Sequence, residues 1–307
     1  MNHDWNPENV PDMSGKVVVV TGGNSGIGFE CVRFFASKNA RVVMASRSME
    51  RMEEATKKIK AENPNADVEP MQLDLASLKS VRRFSEEFKD RYDSLDILLN
   101  NAGIMMVPYG KTEDGFELQF GINHLGHFAL TGLLIDLILS THQSRVVTVS
   151  SLGHRRGKID FDNLMYERGG YGSFRAYARS KLANLLFAYE LQRRFERIGA
   201  DSKSLAAHPG GSRTNLDRYL RGRLWYKLVR PFARFVFIQS PEMGALPLIR
   251  AATDPNVKGG EYFGPGGFME QRGWPVRVDS SRLSKDEKLA KRLWEVSEEL
   301  TGVRYLD

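Results

Sequence analysis

Runs of apolar residues alternate with amphipathic stretches along most of this 307-residue chain. The first run is four consecutive valines, Val17 to Val20, and a second spans residues 41–46. A β-branched run without polar alternation predicts a strand buried on both faces, as in a parallel sheet covered by helices. Similar short runs predict further strands at residues 68–73, 95–99, 145–149, 204–207 and 261–263.

Helical patterns fill the intervals between these strands. They predict helices directly after the first strand, over residues 49–62, 78–92 and 174–197, and a long helix that includes residues 120–126. Ser240-Pro241 begins another helix with proline at its first position. A capping box, Ser284-Lys285-Asp286-Glu287, is predicted to open the final helix.

The third strand contains Pro70, which cannot donate to a strand ladder, so it is predicted to lie at a sheet edge. This position fits the order 3-2-1-4-5-6 of doubly wound sheets. We therefore predict an α/β fold of one domain, with about seven mostly parallel strands and helices on both faces. Residues 13–210 would form the main α/β core, residues 211–240 a separate segment, and residues 241–307 a helix, the last strand and a capping helix.

Charge changes this picture in one segment. The chain has 44 basic and 38 acidic residues, a net charge of +6, and residues 211–238 alone hold seven basic side chains against one acidic. A nucleic-acid-binding protein would more often spread basic residues over a face with a reading motif, and no such motif is present. Within residues 223–238 the apolar side chains fall on one helix side and the basic ones opposite. The pattern predicts a basic amphipathic segment that contacts an anionic membrane surface. The alternative is a helix packed on the core with a solvated basic face.

Cysteine usage and hydropathy indicate the compartment. Cys31 is the only cysteine, so no disulfide can form within the chain, and it is interpreted as a small core residue. No uncharged apolar run is long enough to span a bilayer. The sequence predicts a soluble, cytoplasmic protein that is at most peripheral to a membrane, and it leaves homo-oligomer formation open.

Candidate chemistry begins directly after the valines, in the stretch Thr21-Gly22-Gly23-Asn24-Ser25-Gly26-Ile27-Gly28. Glycines let the backbone turn sharply and approach a pyrophosphate, and the following helix offers free N–H groups and the positive end of its dipole. The stretch predicts dinucleotide binding by Gly22, Asn24, Ser25, Gly26, Ile27 and Gly28. The alternative is a glycine-rich turn without a ligand. The spacing differs from the Gly-x-Gly-x-x-Gly fingerprint of the commonest Rossmann dehydrogenases.

Arg47 follows the second strand, about 20 residues past the glycines, where dinucleotide folds read the adenine ribose. An acidic residue there accepts a hydrogen bond from a 2′-hydroxyl, whereas arginine complements a 2′-phosphate. Arg47 therefore favours NADP(H) as the cofactor. The alternative is an exposed arginine just before a helix capped by Ser48.

Polar residues with acid–base potential follow in the second half of the chain. Ser150 and Ser151 come after the fifth strand, at the edge where open α/β sheets place ligands. Tyr177 and Lys181 are four positions apart in a predicted helix, so one face carries both and the cation can favour the phenolate. The alternative is an ordinary surface pair. After the fourth strand, the tetrapeptide Asn100-Asn101-Ala102-Gly103 suits a strand end pressed against a cofactor ribose.

Over residues 13–254 these motifs together resemble the short-chain dehydrogenase/reductase superfamily. The long interval at residues 153–173, flanked by Ser151-Leu152-Gly153-His154 and Ser180-Lys181-Leu182-Ala183-Asn184, is similar to the retinol dehydrogenase branch. Protochlorophyllide reductase and the WW-domain oxidoreductases are neighbours of that branch. The resemblance weakens beyond residue 254.

The resemblance implies a role for each motif. Tyr177 would exchange a proton with the substrate oxygen, Ser151 would hydrogen-bond that oxygen, and Lys181 would bias the tyrosine and bind the nicotinamide ribose. Asn123 would hold a water that links Lys181 to solvent. The remaining cofactor contacts would come from Asp74 and Leu75 at the adenine, from Asn101, Ala102 and Gly103 at the ribose, and from Pro209, Gly210 and Thr214 at the nicotinamide carboxamide. Because the superfamily places its substrate loop just after this threonine, the resemblance also favours residues 223–238 as a lid over a lipophilic substrate. Residues 13–210 would then be the dinucleotide-binding and catalytic core, and residues 211–240 the substrate lid segment.

The sequence thus predicts an NADP(H)-dependent oxidoreductase that transfers hydride between the nicotinamide and a carbonyl or alcohol carbon of a lipophilic substrate. Two alternatives stay open, namely reduction of a carbon–carbon double bond, as in protochlorophyllide reductase, and a non-catalytic dinucleotide sensor. No metal site is predicted. His124 and His127 are interpreted as packing or surface residues, since no other His, Cys or carboxylate pattern completes a metal site.

Overall fold

The computed structural model describes residues 5–211 and 239–307 of the chain. Within these ranges one sheet has the strand order β3-β2-β1-β4-β5-β6-β7-β8. The strands are β1 (Val17–Thr21), β2 (Arg41–Ser46), β3 (Val68–Gln72), β4 (Ile97–Asn100), β5 (Arg145–Val149), β6 (Lys203–Ala207), β7 (Tyr262–Pro265) and β8 (Pro275–Arg277). All neighbours are parallel except β7 and β8, which are antiparallel.

The helices lie on both faces of this sheet. They are α1 (Gly26–Ser37), α2 (Met49–Glu62), α3 (Leu78–Lys89), α4 (Leu118–Phe120), α5 (Gly126–Leu133), α6 (Ile135–Ser140), α7 (Ser173–Arg197), α8 (Pro241–Thr253) and α9 (Glu287–Thr301). Short 3₁₀ turns cover Leu152–Arg156, Phe161–Asn163, Phe268–Glu270 and Arg282–Lys285. The predicted α/β class, strand order and edge position of β3 are confirmed. The division of the chain into domains stays a prediction.

The β1 valines are buried because successive side chains enter cores on opposite faces of the sheet. Val18 packs in the core that includes Phe35 of α1 and Leu248 of α8. Val19 packs in the opposite core with Phe128 of α5 and Phe187 of α7. Cys31 is fully buried in the first of these cores, as predicted.

Three predicted features need correction. Among the described residues the sheet has eight strands rather than about seven, because the three residues of β8 pair with β7 without an apolar run of their own. The strand at residues 261–263 is thus not the last. The final helix is capped by Asp286, whose carboxylate accepts from the Leu289 N–H at 3.0 Å. Ser284 is not the cap, because its hydroxyl donates instead within the preceding 3₁₀ turn.

The third correction concerns the long helix predicted around residues 120–126. It is divided into α4, a π-helical segment (Gly121–Leu125) and α5, and the chain bends again at Leu134 before α6. In the π segment the Gly126 N–H bonds the Gly121 carbonyl, five residues back. Such π-helical segments are rare in proteins, but those that occur are often at functional sites. This segment contains Asn123.

Candidate active site

The glycine loop joins β1 to α1 in the way its composition predicts. Gly22 and Gly26 have φ values of +67° and +57°, which side chains rarely adopt. A Cβ on Gly28 would overlap the Gly22 carbonyl oxygen and lie 2.6 Å from Asn101 Nδ2, so only glycine lets α1 approach the strand ends this closely. Ser25 precedes α1 without a side-chain cap, and the first N–H groups of this helix have no capping side chain.

A cavity of about 780 Å³ lies beside this loop. Its lining includes twelve of the predicted cofactor residues: Gly22, Asn24, Ser25, Gly26, Ile27, Gly28, Arg47, Asp74, Leu75, Asn101, Ala102 and Gly103. Two further cations, Arg51 and Lys58, line the same cavity as Arg47. Neither cation was predicted from the sequence to line the site, although their spacing of seven puts both on one face of α2. Glu54 lines the cavity as well, so this end has three cations against one carboxylate and is still more cationic than one arginine would make it.

Thr21 connects the loop to the end of β4. Its hydroxyl oxygen accepts from the backbone N–H groups of Asn101 and Ala102, both at 2.9 Å. His127 Nε2 lies 2.9 Å from the same oxygen, and its Nδ1 lies 3.1 Å from the carbonyl oxygen of Asn123. Because a carbonyl only accepts, Nδ1 carries the proton and Nε2 accepts from the threonine. Burial lowers the pKa of His127 to about 4, which keeps the ring neutral.

Asn123 uses its whole amide within the protein. Its oxygen accepts from Ile104 N at 2.8 Å, and its nitrogen donates to the Ile104 carbonyl at 3.0 Å and to Ser180 Oγ at 2.9 Å. A Cβ on Gly103 would lie 3.1 Å from Asn123 Oδ1 and 3.5 Å from Lys181 Nζ. Gly103 therefore lies between the dinucleotide cavity and the lysine.

Tyr177 lies on α7, which faces the carboxyl end of β5. Burial raises the pKa of the Tyr177 phenol, and the nearby Ser151 hydroxyl counteracts part of this rise. Ser151 Oγ also accepts from Gly153 N at 3.2 Å. A Cβ on Gly153 would lie 3.3 Å from the Tyr177 ring and 3.6 Å from Ser151 Oγ, so a glycine here leaves space beside both groups.

Lys181 is buried one helical turn after Tyr177. Its Nζ lies 5.9 Å from the centre of the Tyr177 ring and donates to the Val149 carbonyl at 3.0 Å. Asn184 Nδ2 donates to the same carbonyl at 2.9 Å, a contact that the sequence analysis did not assign. Burial lowers the pKa of Lys181 to about 8. The Ser150 hydroxyl does not donate to Tyr177, because it donates to the Lys181 carbonyl at 2.8 Å.

Comparison with known proteins identifies this arrangement. A family model described as short chain dehydrogenase matches residues 16–223. The chain belongs to the short-chain dehydrogenase family. It is also 40% identical to human Retinol dehydrogenase 13 over 293 residues, which cover 94% of this chain and 85% of that protein. That likeness places it in the retinol dehydrogenase-like branch.

Two solved structures share the fold. A structure from Mycobacterium paratuberculosis is 40% identical, with a TM-score of 0.81 and coverage of 98% of both chains. A short chain dehydrogenase from Shigella flexneri, complexed with NADP, is 22% identical, covers 83% of this chain and 98% of its own, and has a TM-score of 0.63. At that identity the second likeness shows the fold alone.

In this short-chain dehydrogenase, buried histidines also form hydrogen bonds to the backbone and side chains around the site. His154 Nε2 accepts from the Ser281 N–H at 3.0 Å, so its Nδ1 carries the proton and donates to the Ser151 carbonyl at 2.7 Å. Burial lowers the pKa of His154 to about 4. His124 is likewise buried, with Nε2 3.0 Å from Ser297 Oγ of α9. The interpretation of His124 and His127 as packing residues is confirmed by their burial.

The remaining predicted residues lie elsewhere. Pro209 and Gly210 follow β6, at the same edge of the sheet as Ser151. Thr214 and the lid predicted over residues 223–238 lie outside the described residues. Among the residues that the structure describes, no helix is long and apolar enough to cross a membrane.

Proposed function

We propose that this protein catalyses NADP(H)-dependent hydride transfer to or from a carbonyl or alcohol carbon of a lipophilic substrate. The observation that carries this proposal is the arrangement of Tyr177, Ser151 and Lys181 at the carboxyl ends of the strands. Gly103 borders both this group and the cavity formed by the glycine loop. Lipophilic substrates are proposed because the chain is similar to Retinol dehydrogenase 13.

The residues of the cavity fit a phosphorylated dinucleotide. Positive φ at Gly22 and Gly26, together with uncapped N–H groups at the start of α1, favours a pyrophosphate at the loop. Arg47, with Arg51 and Lys58 nearby in the lining, favours a further phosphate at the ribose end. This charge pattern supports NADP(H) rather than NAD(H).

The residues around Tyr177 suit proton transfer at a substrate oxygen. The nicotinamide, when bound, supplies or accepts the hydride at the substrate carbon. In reduction, Tyr177 would donate its proton to the carbonyl oxygen while Ser151 donates a hydrogen bond to the same oxygen. The Lys181 ammonium would stabilise the resulting phenolate, since an opposite charge nearby favours ionisation. The reverse reaction would use the same groups with Tyr177 as the base.

Asn123 and His127 would support Tyr177 and its neighbours by fixing the surrounding backbone. Asn123 holds the backbone of Ile104 next to Gly103, and His127 connects the Asn123 carbonyl to Thr21. Both residues thus stabilise the positions of the strand ends. The proposed water between Lys181 and solvent would reprotonate the tyrosine after each turnover.

The test is NADPH consumption with a panel of aldehydes, ketones and enones of increasing alkyl or polyene length. We expect turnover of long-chain aldehydes or ketones, and Tyr177→Phe should lower kcat by about 10²- to 10⁴-fold while NADPH still binds. Tyr189→Phe is the matched control, because this phenol also lies on α7 but donates to Ser280 at 2.8 Å. Unchanged turnover in Tyr177→Phe would remove this residue from the mechanism, and consumption with enones alone would favour double-bond reduction.

A further inference from the structure

The loop that follows β6 is held from one side by the hairpin tip between β7 and β8, residues 266–274. Gly211 N donates to the Gln271 carbonyl at 2.8 Å. Gly210 has φ +61°, and a Cβ there would overlap the same carbonyl group. Gln239 adds a second connection, since its amide donates to the Pro209 carbonyl at 2.9 Å and accepts from Gly273 N at 3.1 Å. The loop of residues 208–211 therefore takes its position from residues far along the chain.

A buried histidine connects the same loop to the hairpin through its side chain. His208 is fully buried, and its Nδ1 accepts from the Gly210 N–H at 3.2 Å. Its Nε2 must therefore carry the proton of the neutral ring, and it donates to Glu270 Oε2 at 3.1 Å. A Cβ on Gly264 would overlap this ring, so the strand beneath it is shaped to fit the imidazole. Glu270 thus determines which nitrogen of His208 is free to hold Gly210.

Glu270 uses both carboxylate oxygens in this cluster. While Oε2 accepts from His208, Oε1 accepts from Arg155 Nη2 at 3.2 Å, and that guanidinium also donates to the Asp279 carbonyl at 2.9 Å. The hydrogen bond from His208 is the main reason that the pKa of Glu270 lies below its ordinary value. Arg155 belongs to the turn directly after Ser151, so one carboxylate connects the turns that follow β5 and β6.

The backbone at Glu270 is in a conformation that needs support. Met269 and Glu270 have φ values of 51° and 56°, in the left-handed region that residues other than glycine rarely occupy. Such conformations persist where surrounding contacts determine them, and they cluster at functional sites. Here the contacts include the two hydrogen bonds of the carboxylate and the bond that the Glu270 N–H donates to the Gly267 carbonyl at 3.0 Å.

We propose that Glu270 is a positioning residue for the nicotinamide end of the cofactor site, acting through His208 on the backbone of residues 209–211. This inference rests on the proposed function and on the contact of Pro209 and Gly210 with the nicotinamide carboxamide that the family resemblance implies. Glu270 lies beyond residues 16–223, the part matched by the family model, so the contact comes from the C-terminal part of the chain. It does not touch the cavity lined by Arg47, which separates its effect from binding of the adenine end.

Glu270→Gln tests the proposal with little change in shape. In glutamine an NH₂ group replaces one of the two carboxylate oxygens, so in this geometry the side chain accepts from His208 or from Arg155 but not from both. The bond that is kept also loses the negative charge of its acceptor. We expect the Kd of NADPH to rise by about tenfold or more, the factor for one charge-assisted hydrogen bond, and kcat to fall. The Kd of adenosine 2′,5′-bisphosphate, which lacks the nicotinamide, should stay unchanged. Arg155→Met leaves the hydrogen bond between Glu270 and His208 in place, so it should raise the Kd of NADPH by a smaller factor. This variant tests the proposal if Glu270→Gln does not fold.

Glu261→Gln is the matched control, because Glu261 forms an ion pair with Arg277 at the other end of the same hairpin, at 2.6 Å. This variant should change neither constant. Equal NADPH affinity in Glu270→Gln and Glu261→Gln would overturn the inference, as would a parallel loss of both ligands in Glu270→Gln. Failure of the unsubstituted protein to bind NADPH would instead contradict the proposed function, and the inference with it.

Discussion

At the scale of single residues, Arg47 is the side chain proposed to choose between the two nicotinamide cofactors. It lines the dinucleotide cavity together with Arg51 and Lys58, and its backbone carbonyl is held by Gln72 Nε2 at 3.2 Å. A guanidinium on a 2′-phosphate contributes about 1.5 to 3 kcal/mol, or roughly a factor of 10 to 150 in affinity. We expect Arg47→Asp to exchange the preference from NADPH to NADH, measured as kcat/KM for each cofactor.

Arg41→Ala is the control for this exchange. Arg41 lies at the opposite end of β2, where it pairs with Asp67 at 2.7 Å, so its loss should leave the preference unchanged. Equal use of both cofactors by the unsubstituted enzyme would contradict the role of Arg47. A retained NADPH preference in Arg47→Asp would transfer that role to Arg51 and Lys58.

At the scale of elements, Gly28 fixes the distance between α1 and the strand ends. Helix propensity alone predicts that Gly28→Ala stabilises α1 by about 1 kcal/mol. Packing predicts the opposite, because the new Cβ would overlap the Gly22 carbonyl and approach Asn101 Nδ2 to 2.6 Å. Inserting a methyl group into such a packed site typically costs about 1 to 3 kcal/mol. We expect a lower free energy of unfolding in urea and weaker NADPH binding.

Gly110→Ala provides the comparison, because the nearest atom to a Cβ there is Leu118 Cδ2 at 3.7 Å. This variant should unfold at nearly the same urea concentration as the unsubstituted protein. Stabilisation by Gly28→Ala would show that α1 can move away from the loop without cost, which would remove the packing reason for this glycine.

At the scale of the whole molecule, buried neutral histidines connect stability to pH. Burial lowers the pKa of His124 to about 3 and the pKa values of His127 and His154 to about 4. The unfolded chain binds protons at these rings below about pH 6.5, whereas the folded protein excludes them until about pH 4. Stability is therefore complete above pH 6.5 and falls as the pH decreases towards 4. Each ring contributes a slope of about 1.4 kcal/mol per pH unit.

Urea unfolding at pH 7.5, 6 and 5 measures this slope. We expect His127→Gln to reduce the slope by about 1.4 kcal/mol per pH unit, the contribution of one bound proton. This variant also loses stability at every pH. Phe84→Leu, at a fully buried side chain that does not titrate, should also lose stability at every pH but keep the slope of the unsubstituted protein. The buried carboxyl of Glu117 acts in the opposite direction, because burial raises its pKa, but its contribution cancels when the two variants are compared. Identical slopes in both variants would contradict the assignment.

The sequence by itself determined the order of strands and helices and the chemistry at the strand ends. Apolar runs such as Val17–Thr21 are readable because burial on both faces leaves no place for polar residues. Three features of the candidate site can be read from the sequence because each lies within one short segment of the chain. They are the glycine loop, Arg47, and the spacing of Tyr177 and Lys181. Twelve of the predicted cofactor residues line one cavity on this basis. The catalytic roles and the lid stay predictions.

Only the tertiary structure decided the features that depend on contacts between distant segments. No local pattern predicted the π-helical segment, and Asn123 within it bonds Ile104 and Ser180 from other parts of the chain. The Glu270–His208 contact joins positions 62 residues apart, and neither residue stands out in a local pattern. Local periodicity records which face of an element is buried, but it does not record which partner covers that face or how a polar side chain is satisfied there.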